Sequence, residues 1–259
     1  MKQPKFVSGP PGTGKTHIYL IDKYKELLKK YSPEKIIMLS HTNVAADELK
    51  DAILKLPEMI ERGLRKKFFK YKICTIHAFC KSKLLKKELI TYADYLNLCA
   101  ENSGFKAQRV TQSEFDNDKH KFFKFLSDSF GQGRTIKEHW NSLRETSSNY
   151  YPYNNFRMIY EMKEVYDNYK KVNQVCDYND MIKDFIDHAV VPDIDVLIVD
   201  EAQDSNVPQI KALEKMSTNV KEYYMVGDAD QTIFEFAGAN ADYFHKLSKD
   251  AEQLEDGLR

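Results

Sequence analysis

The sequence predicts an α/β protein built on a parallel sheet, with a mostly α-helical subdomain inserted into it. Short, nearly continuous apolar runs alternate with stretches of helical periodicity, the pattern of strands buried on both faces of a sheet. A glycine-rich turn, GPPGTGKT (9–16), lies between the first such run and the first helical stretch. From about Leu84 to Cys176 the alternation stops.

KFVS (5–8) reads as a short buried strand leading into that turn. From Lys15 to about Lys30, Ile18, Ile21, Tyr24, Leu27 and Leu28 recur at helical spacing. KIIMLS (35–40) is a second strand, and Thr42 is suited to cap the helix NVAADELKDAILKL after it. KICTI (72–76) is a third strand. VLIVD (196–200) and EYYMVG (222–227) are the fourth and fifth, with the helical VPQIKALEKM between them. The interrupting stretch is rich in Lys, Asn, Tyr and Phe and contains no convincing strand.

With 259 residues, 42% apolar and 30% charged, the chain is globular rather than disordered or fibrous. No run approaches the roughly 18 apolar residues of a membrane span, and MKQPKF has no apolar signal region. Cys74, Cys80, Cys99 and Cys176 show no CxxC spacing, which argues for reduced thiols and a cytoplasmic address. The net charge of zero conceals an asymmetry. Residues 55–87 hold eleven Lys/Arg against two acids, and residues 177–259 hold nineteen acids against seven bases. A polyanion partner is therefore compatible with the neutral total, and so is a solvated helix face.

GPPGTGKT matches GxxxxGK[ST] in the strand–turn–helix setting that this loop requires. Gly9, Gly12, Thr13 and Gly14 let successive backbone N–H groups face phosphate oxygens. Lys15 adds a point charge for the outer phosphates and Thr16 a hydroxyl for Mg²⁺, which points to a bound nucleotide such as ATP. A glycine turn that binds nothing is the bland alternative. In VLIVDEAQD (196–204), four apolar residues carry Asp200 to the end of a strand, where it can hold the same Mg²⁺. Glu201 follows, placed to polarise a water for attack on the γ-phosphate.

These segments, together with LSHTNVAADEL (39–49), TIHAFC (75–80), DYNDMI (177–182) and VGDADQTIFEFAGAN (226–240), occur in the order seen in UvrD/Rep/PcrA-like superfamily 1 DNA helicases, which the chain resembles. The resemblance implies a RecA-like ATP-binding motor domain formed by residues 1–87 and 177–259, with 88–176 as its helical insertion. It implies ATP and Mg²⁺ as cofactors, single-stranded DNA as partner, 3′→5′ polarity, and a second motor domain in the parent protein. By position, Gln231 is similar to the glutamine that senses the γ-phosphate. Thr42, Asn43, Thr75, His77, Phe234 and Phe236 fall where the family touches single-stranded DNA, small polar groups on the backbone and aromatic faces on bases. Phe234 and Phe236 are equally suited to core packing. Such contacts do not inspect the 2′-hydroxyl, so RNA is not excluded.

The pattern also departs from the family. Only eight residues precede Gly9, leaving no room for the family's adenine-reading glutamine segment. Ala237 stands where an arginine is common, Phe234 replaces the usual tyrosine, and His41 takes a position usually held by phenylalanine. LEDGLR (254–259) resembles the start of the next helicase motif, with Arg259 as its arginine. The expectation is the first motor half of a longer helicase or translocase, slow or inactive without the second. A nucleotide-gated DNA- or protein-binding module without motor activity is the competing expectation.

Overall fold

A computed structural model of the chain describes residues 2–8, 19–83, 87–107, 109–117, 120–146, 155–228, 244, 246–247 and 252–253. Its strands in chain order are β1 (Lys5–Ser8), β2 (Ile36–Ser40), β3 (Ile73–Thr75), β4 (Glu88–Leu89), β5 (Val175–Cys176), β6 (Val196–Val199), β7 (Glu222–Gly227) and β8 (Glu252–Gln253). The helices are α1 (Leu20–Leu28), α2 (Asn43–Leu54), α3 (Pro57–Glu61), α4 (Ile76–Ser82), α5 (Tyr92–Glu101), α6 (Ser103–Lys106), α7 (Gln112–Asp116), α8 (Lys121–Gly131), α9 (Ile136–Thr146), α10 (Phe156–Asn173), α11 (Tyr178–His188) and α12 (Val207–Met216). Contacts divide the chain into two compact units, one within residues 1–84 and 184–259, the other within 85–183.

The first unit is a mixed α/β structure on a parallel sheet of order β3-β2-β6-β7-β1-β8. Register follows the apolar runs: Ile36 faces Val196, Val199 faces Met225, and Val7 faces Val226. Every residue of β2 and β6 is buried, as central parallel strands covered on both faces must be. The helices present one apolar stripe each to this sheet, Leu20, Tyr24 and Leu27 on α1 and Ala46, Leu49 and Ile53 on α2. All but Ala46 join Val7, Ile36, Met38, Ile73, Ile198 and Val226 in one core. Each fully buried aliphatic side chain there contributes about 1.5–3 kcal/mol.

The third strand is shorter than KICTI. Thr75 accepts the Ala78 N–H at 3.2 Å through its hydroxyl, capping α4 and turning Ile76 into a helical residue. Residues 57–72 join the far end of α2 to the start of β3. The basic residues Arg62, Arg65, Lys66, Lys67 and Lys70 therefore lie toward the amino ends of the strands, and Lys66 pairs with Asp51 at 3.0 Å.

The second unit is mostly helical, around a core rich in aromatic rings: Tyr95, Phe105, Phe122, Phe125, Tyr166 and Tyr169. Gly104 is packed so closely that a Cβ would meet Met162 Sδ at 2.8 Å. Contrary to the expectation of no strand before Cys176, β4 and β5 pair in parallel, Glu88 with Val175 and Leu89 with Cys176. Two residues per strand are too few to leave a periodic signature in sequence. In DYNDMI the two aspartates pair locally. Asp177 and Asp180 exchange backbone and side-chain hydrogen bonds at the start of α11, and both hold Lys170 at 2.8–2.9 Å. Burial opposes the Lys170 charge, but the two carboxylates outweigh it and its pKa rises to about 12.

Candidate active site at the carboxyl edge of the sheet

Because the strands of the large sheet run in one direction, their carboxyl ends share one edge. In sheet order that edge carries Thr75 at the end of β3, His41–Asn43 after β2, Asp200 after β6 and Asp228 after β7. Ser8, the residue before the glycine-rich stretch, ends β1 beside Gly227. Ligands of open α/β sheets bind at this edge. Gly9, Gly12, Thr13, Gly14, Lys15, Thr16, Gln231, Phe234, Phe236, Ala237 and Arg259 lie outside the described residues.

Asp200 is 2% exposed, and its N–H donates to the Leu39 carbonyl at 2.8 Å, extending the β2–β6 ladder by one bond. The chain then bends sharply. Glu201 adopts a left-handed conformation, φ 48°, and a 3₁₀ turn follows over Ala202–Asp204. A left-handed non-glycine residue costs on the order of 1–2 kcal/mol, so the surroundings must hold it. Asn206 closes the turn by capping α12 in a reciprocal pair with Gln209.

Two side chains of this turn reach other parts of the unit. Gln203, 4% exposed, donates through Nε2 to Glu201 Oε2 at 2.9 Å and accepts the Asp228 N–H at 3.1 Å through Oε1. Ser205, fully buried, shares a hydrogen bond with His41 Nε2 at 3.1 Å. Asp204 Oδ1 is buried with no hydrogen-bond partner among the described residues. Burial, then the neighbouring Glu201, raises the Asp204 pKa to about 6. Burial lowers His41 and His77 to about 4, with His77 adding to the effect on His41, so both rings are neutral at physiological pH.

Thr42 and Thr75 both act as helix caps, Thr42 accepting the Ala45 N–H at 3.1 Å. Thr42 and Asn43 are exposed, Thr75 and His77 half-buried. Adjacent strand ends thus bring the SHTN and TIHAFC segments side by side, Ser40 pairing with Thr75.

The UvrD/REP helicase N-terminal domain model matches residues 1–252. The chain belongs to this family. Among similar proteins, the ATP-dependent DNA helicase Rep of Buchnera aphidicola subsp. Baizongia pistaciae is 27% identical, over 98% of this chain and 38% of its own length. A probable DNA helicase II homolog of Mycoplasma pneumoniae is 26% identical, over 92% of this chain and 34% of its own. The ATP-dependent DNA helicase PcrA of Staphylococcus aureus is 23% identical, over 95% and 34%. This helicase N-terminal domain thus spans little more than a third of the length of these relatives.

Gln203, Asp204, Ser205 and Gly227 did not stand out as members of this turn, although all lie within the quoted motifs. Gln203 stands two residues after Glu201, and Gly227 closes β7 after the run Tyr223–Val226. That spacing was the available signal; the 3₁₀ turn that gives it meaning is not written in local periodicity.

Proposed function

We propose that this chain is the ATP-binding N-terminal motor part of a DNA helicase or translocase that works 3′→5′ on single-stranded DNA in the cytoplasm. Residues 1–87 and 177–259 would be the motor domain, 88–176 its insertion, and a second motor domain would complete the parent protein. The carrying observation is the shared carboxyl edge, where Asp200, Glu201 and the exit of β7 meet the segments holding Thr42, Asn43, Thr75 and His77. Relatives named as ATP-dependent DNA helicases support the same reading.

In this reading Gly9, Gly12, Thr13, Gly14 and Lys15 cradle the ATP phosphates. The hard oxygen donor of Asp200 at a strand end, with the Thr16 hydroxyl, suits Mg²⁺, which would neutralise phosphate charge when bound. Glu201 orients the attacking water, and Gln231 reports the γ-phosphate to the stretch carrying Phe234 and Phe236. Those rings, with Thr42, Asn43, Thr75 and His77, would form half of a sequence-tolerant DNA track.

The test is ATP turnover by the full-length protein with and without single-stranded DNA and matched RNA, for wild type and Lys15→Ala. DNA-stimulated turnover that Lys15→Ala abolishes is expected. Nucleotide and DNA binding without turnover would instead mark a nucleotide-gated binding module, and stimulation by RNA alone would reassign the track.

A further inference from the structure

We propose that Gln203 is a positioning residue for Glu201, holding the candidate base in its left-handed bend and tying it to the exit of β7. The inference rests on the reading of Glu201 given above and adds a residue to that site.

Three observations carry it. First, the carboxamide is used at both ends: Nε2 donates to Glu201 Oε2 at 2.9 Å, and Oε1 accepts the Asp228 N–H at 3.1 Å. The two neighbours fix its orientation, since a flipped amide would set Nε2 against a backbone N–H and Oε1 against a carboxylate oxygen. Second, the site is shaped for this side chain. A Cβ on Gly227 would lie 2.1 Å from Gln203 Oε1 and 3.3 Å from the Ala202 nitrogen, so only glycine leaves room for the carboxamide at the strand end. Third, Glu201 needs support: its φ of 48° is strained for a side-chain-bearing residue, and its carboxylate stands beside Asp204.

The consequence is mechanical. Asp228 is the first residue after β7, and the chain from there leads within three residues to Gln231. A shift of that exit is felt at Glu201 through the Gln203 side chain. A base displaced by about 1 Å from its working geometry loses on the order of 10²-fold in rate, while ground-state binding is untouched.

Gln203→Glu keeps the acceptor for Asp228 N–H, removes the donor to Glu201 and adds no bulk. Gly227→Ala leaves Gln203 in sequence but displaces its carboxamide. The experiment measures DNA-stimulated ATP turnover, fluorescent-ADP affinity and thermal melting in the full-length protein for Gln203→Glu, Gln203→Ala, Gly227→Ala and the double variant Gln203→Ala/Gly227→Ala. We expect kcat to fall about 10–100-fold in each single variant, with KM for ATP and ADP affinity within about twofold of wild type. In the Gln203→Ala background, Gly227→Ala should cost less than about twofold further, because its clash partner is gone. Wild-type kcat in Gln203→Glu overturns the proposal, as does an undiminished Gly227→Ala effect in that background. Parallel loss of ADP affinity and melting temperature overturns it too, since it marks a purely structural role. A wild-type protein without DNA-stimulated turnover removes the helicase reading itself, whereas an active wild type indifferent to these variants removes only the role of Gln203.

Discussion

The two units of the chain are filled with different kinds of side chain. The sheet unit packs the β-branched Val7, Ile36, Val196, Ile198 and Val226 of its strands against mainly aliphatic helix residues, with Tyr24, Phe69 and Tyr224 as its rings. The inserted unit packs Tyr95, Phe105, Phe122, Phe125 and Tyr166 between helices, a core of rings. The difference follows from architecture. A parallel sheet supplies its own continuous scaffold, so mostly aliphatic side chains fill the layers, and polar groups emerge together at one edge. In the inserted unit, rings fill the space between helices. The first arrangement concentrates Asp200, Glu201, Gln203 and Ser205 in one turn. The second buries isolated polar rings such as His120 among Tyr95, Phe105 and Phe123.

The largest expected effect tests whether the ring core is a cooperative unit of its own. Phe105 is fully buried and meets the Phe122 ring edge-on at 5.1 Å. Phe105→Ala should destabilise the inserted unit by about 3–5 kcal/mol. Trp140 is the only tryptophan in the sequence and lies in this unit, so its fluorescence follows that unit during denaturation. A Trp140 transition unmoved by Phe105→Ala would remove the claim that these rings hold the unit together.

A smaller effect sharpens the comparison through pH. Burial lowers the His120 pKa from 6.5 to about 4, and neither ring nitrogen has a hydrogen-bond partner among the described residues. The folded state therefore resists a proton that the unfolded chain takes up below about pH 6.5. Stability from this group is fully present above that pH and is lost as pH falls toward the folded value. The Trp140-monitored melting temperature should drop between about pH 7 and pH 4.5, and His120→Phe should flatten the slope. An unchanged slope would show that His120 does not titrate in this way.

The smallest effect belongs to the sheet unit and has the opposite sign. Asp204 is raised from 3.8 to about 6, so its native form prefers the proton. The stability it offers is complete below about pH 3.8 and lost as pH rises through about 6. Asp204→Asn should therefore raise the melting temperature at about pH 8 and lose most of that gain near pH 4.5. A gain independent of pH would assign the effect to packing rather than to charge.

Much of the sheet unit was legible in sequence because its strands are apolar runs and its helices are periodic. VLIV and EYYMVG became β6 and β7, and the pairing of Thr42 with α2 followed from capping chemistry. Asp200 and Glu201 were legible because a buried strand delivers them to a known edge. Gln203 and Gly227 were not, because their partnership spans 24 residues and depends on a left-handed bend at a residue that does not favour one. The β4–β5 pair was invisible for a different reason: two-residue strands lack a period. The charge of the basic stretch 55–87 could not say where in the fold it lies: residues 62–70 come before β3, while α4 follows it.

The central claim is that the turn after β6 hydrolyses ATP, and Glu201→Gln tests it most directly. The substitution keeps the size of the side chain and its oxygen near Gln203 while removing the carboxylate proposed to orient water. In the full-length protein with single-stranded DNA, the account predicts ATP binding close to wild type and turnover reduced by about 10²–10⁴-fold. Turnover at the wild-type rate in Glu201→Gln would contradict it.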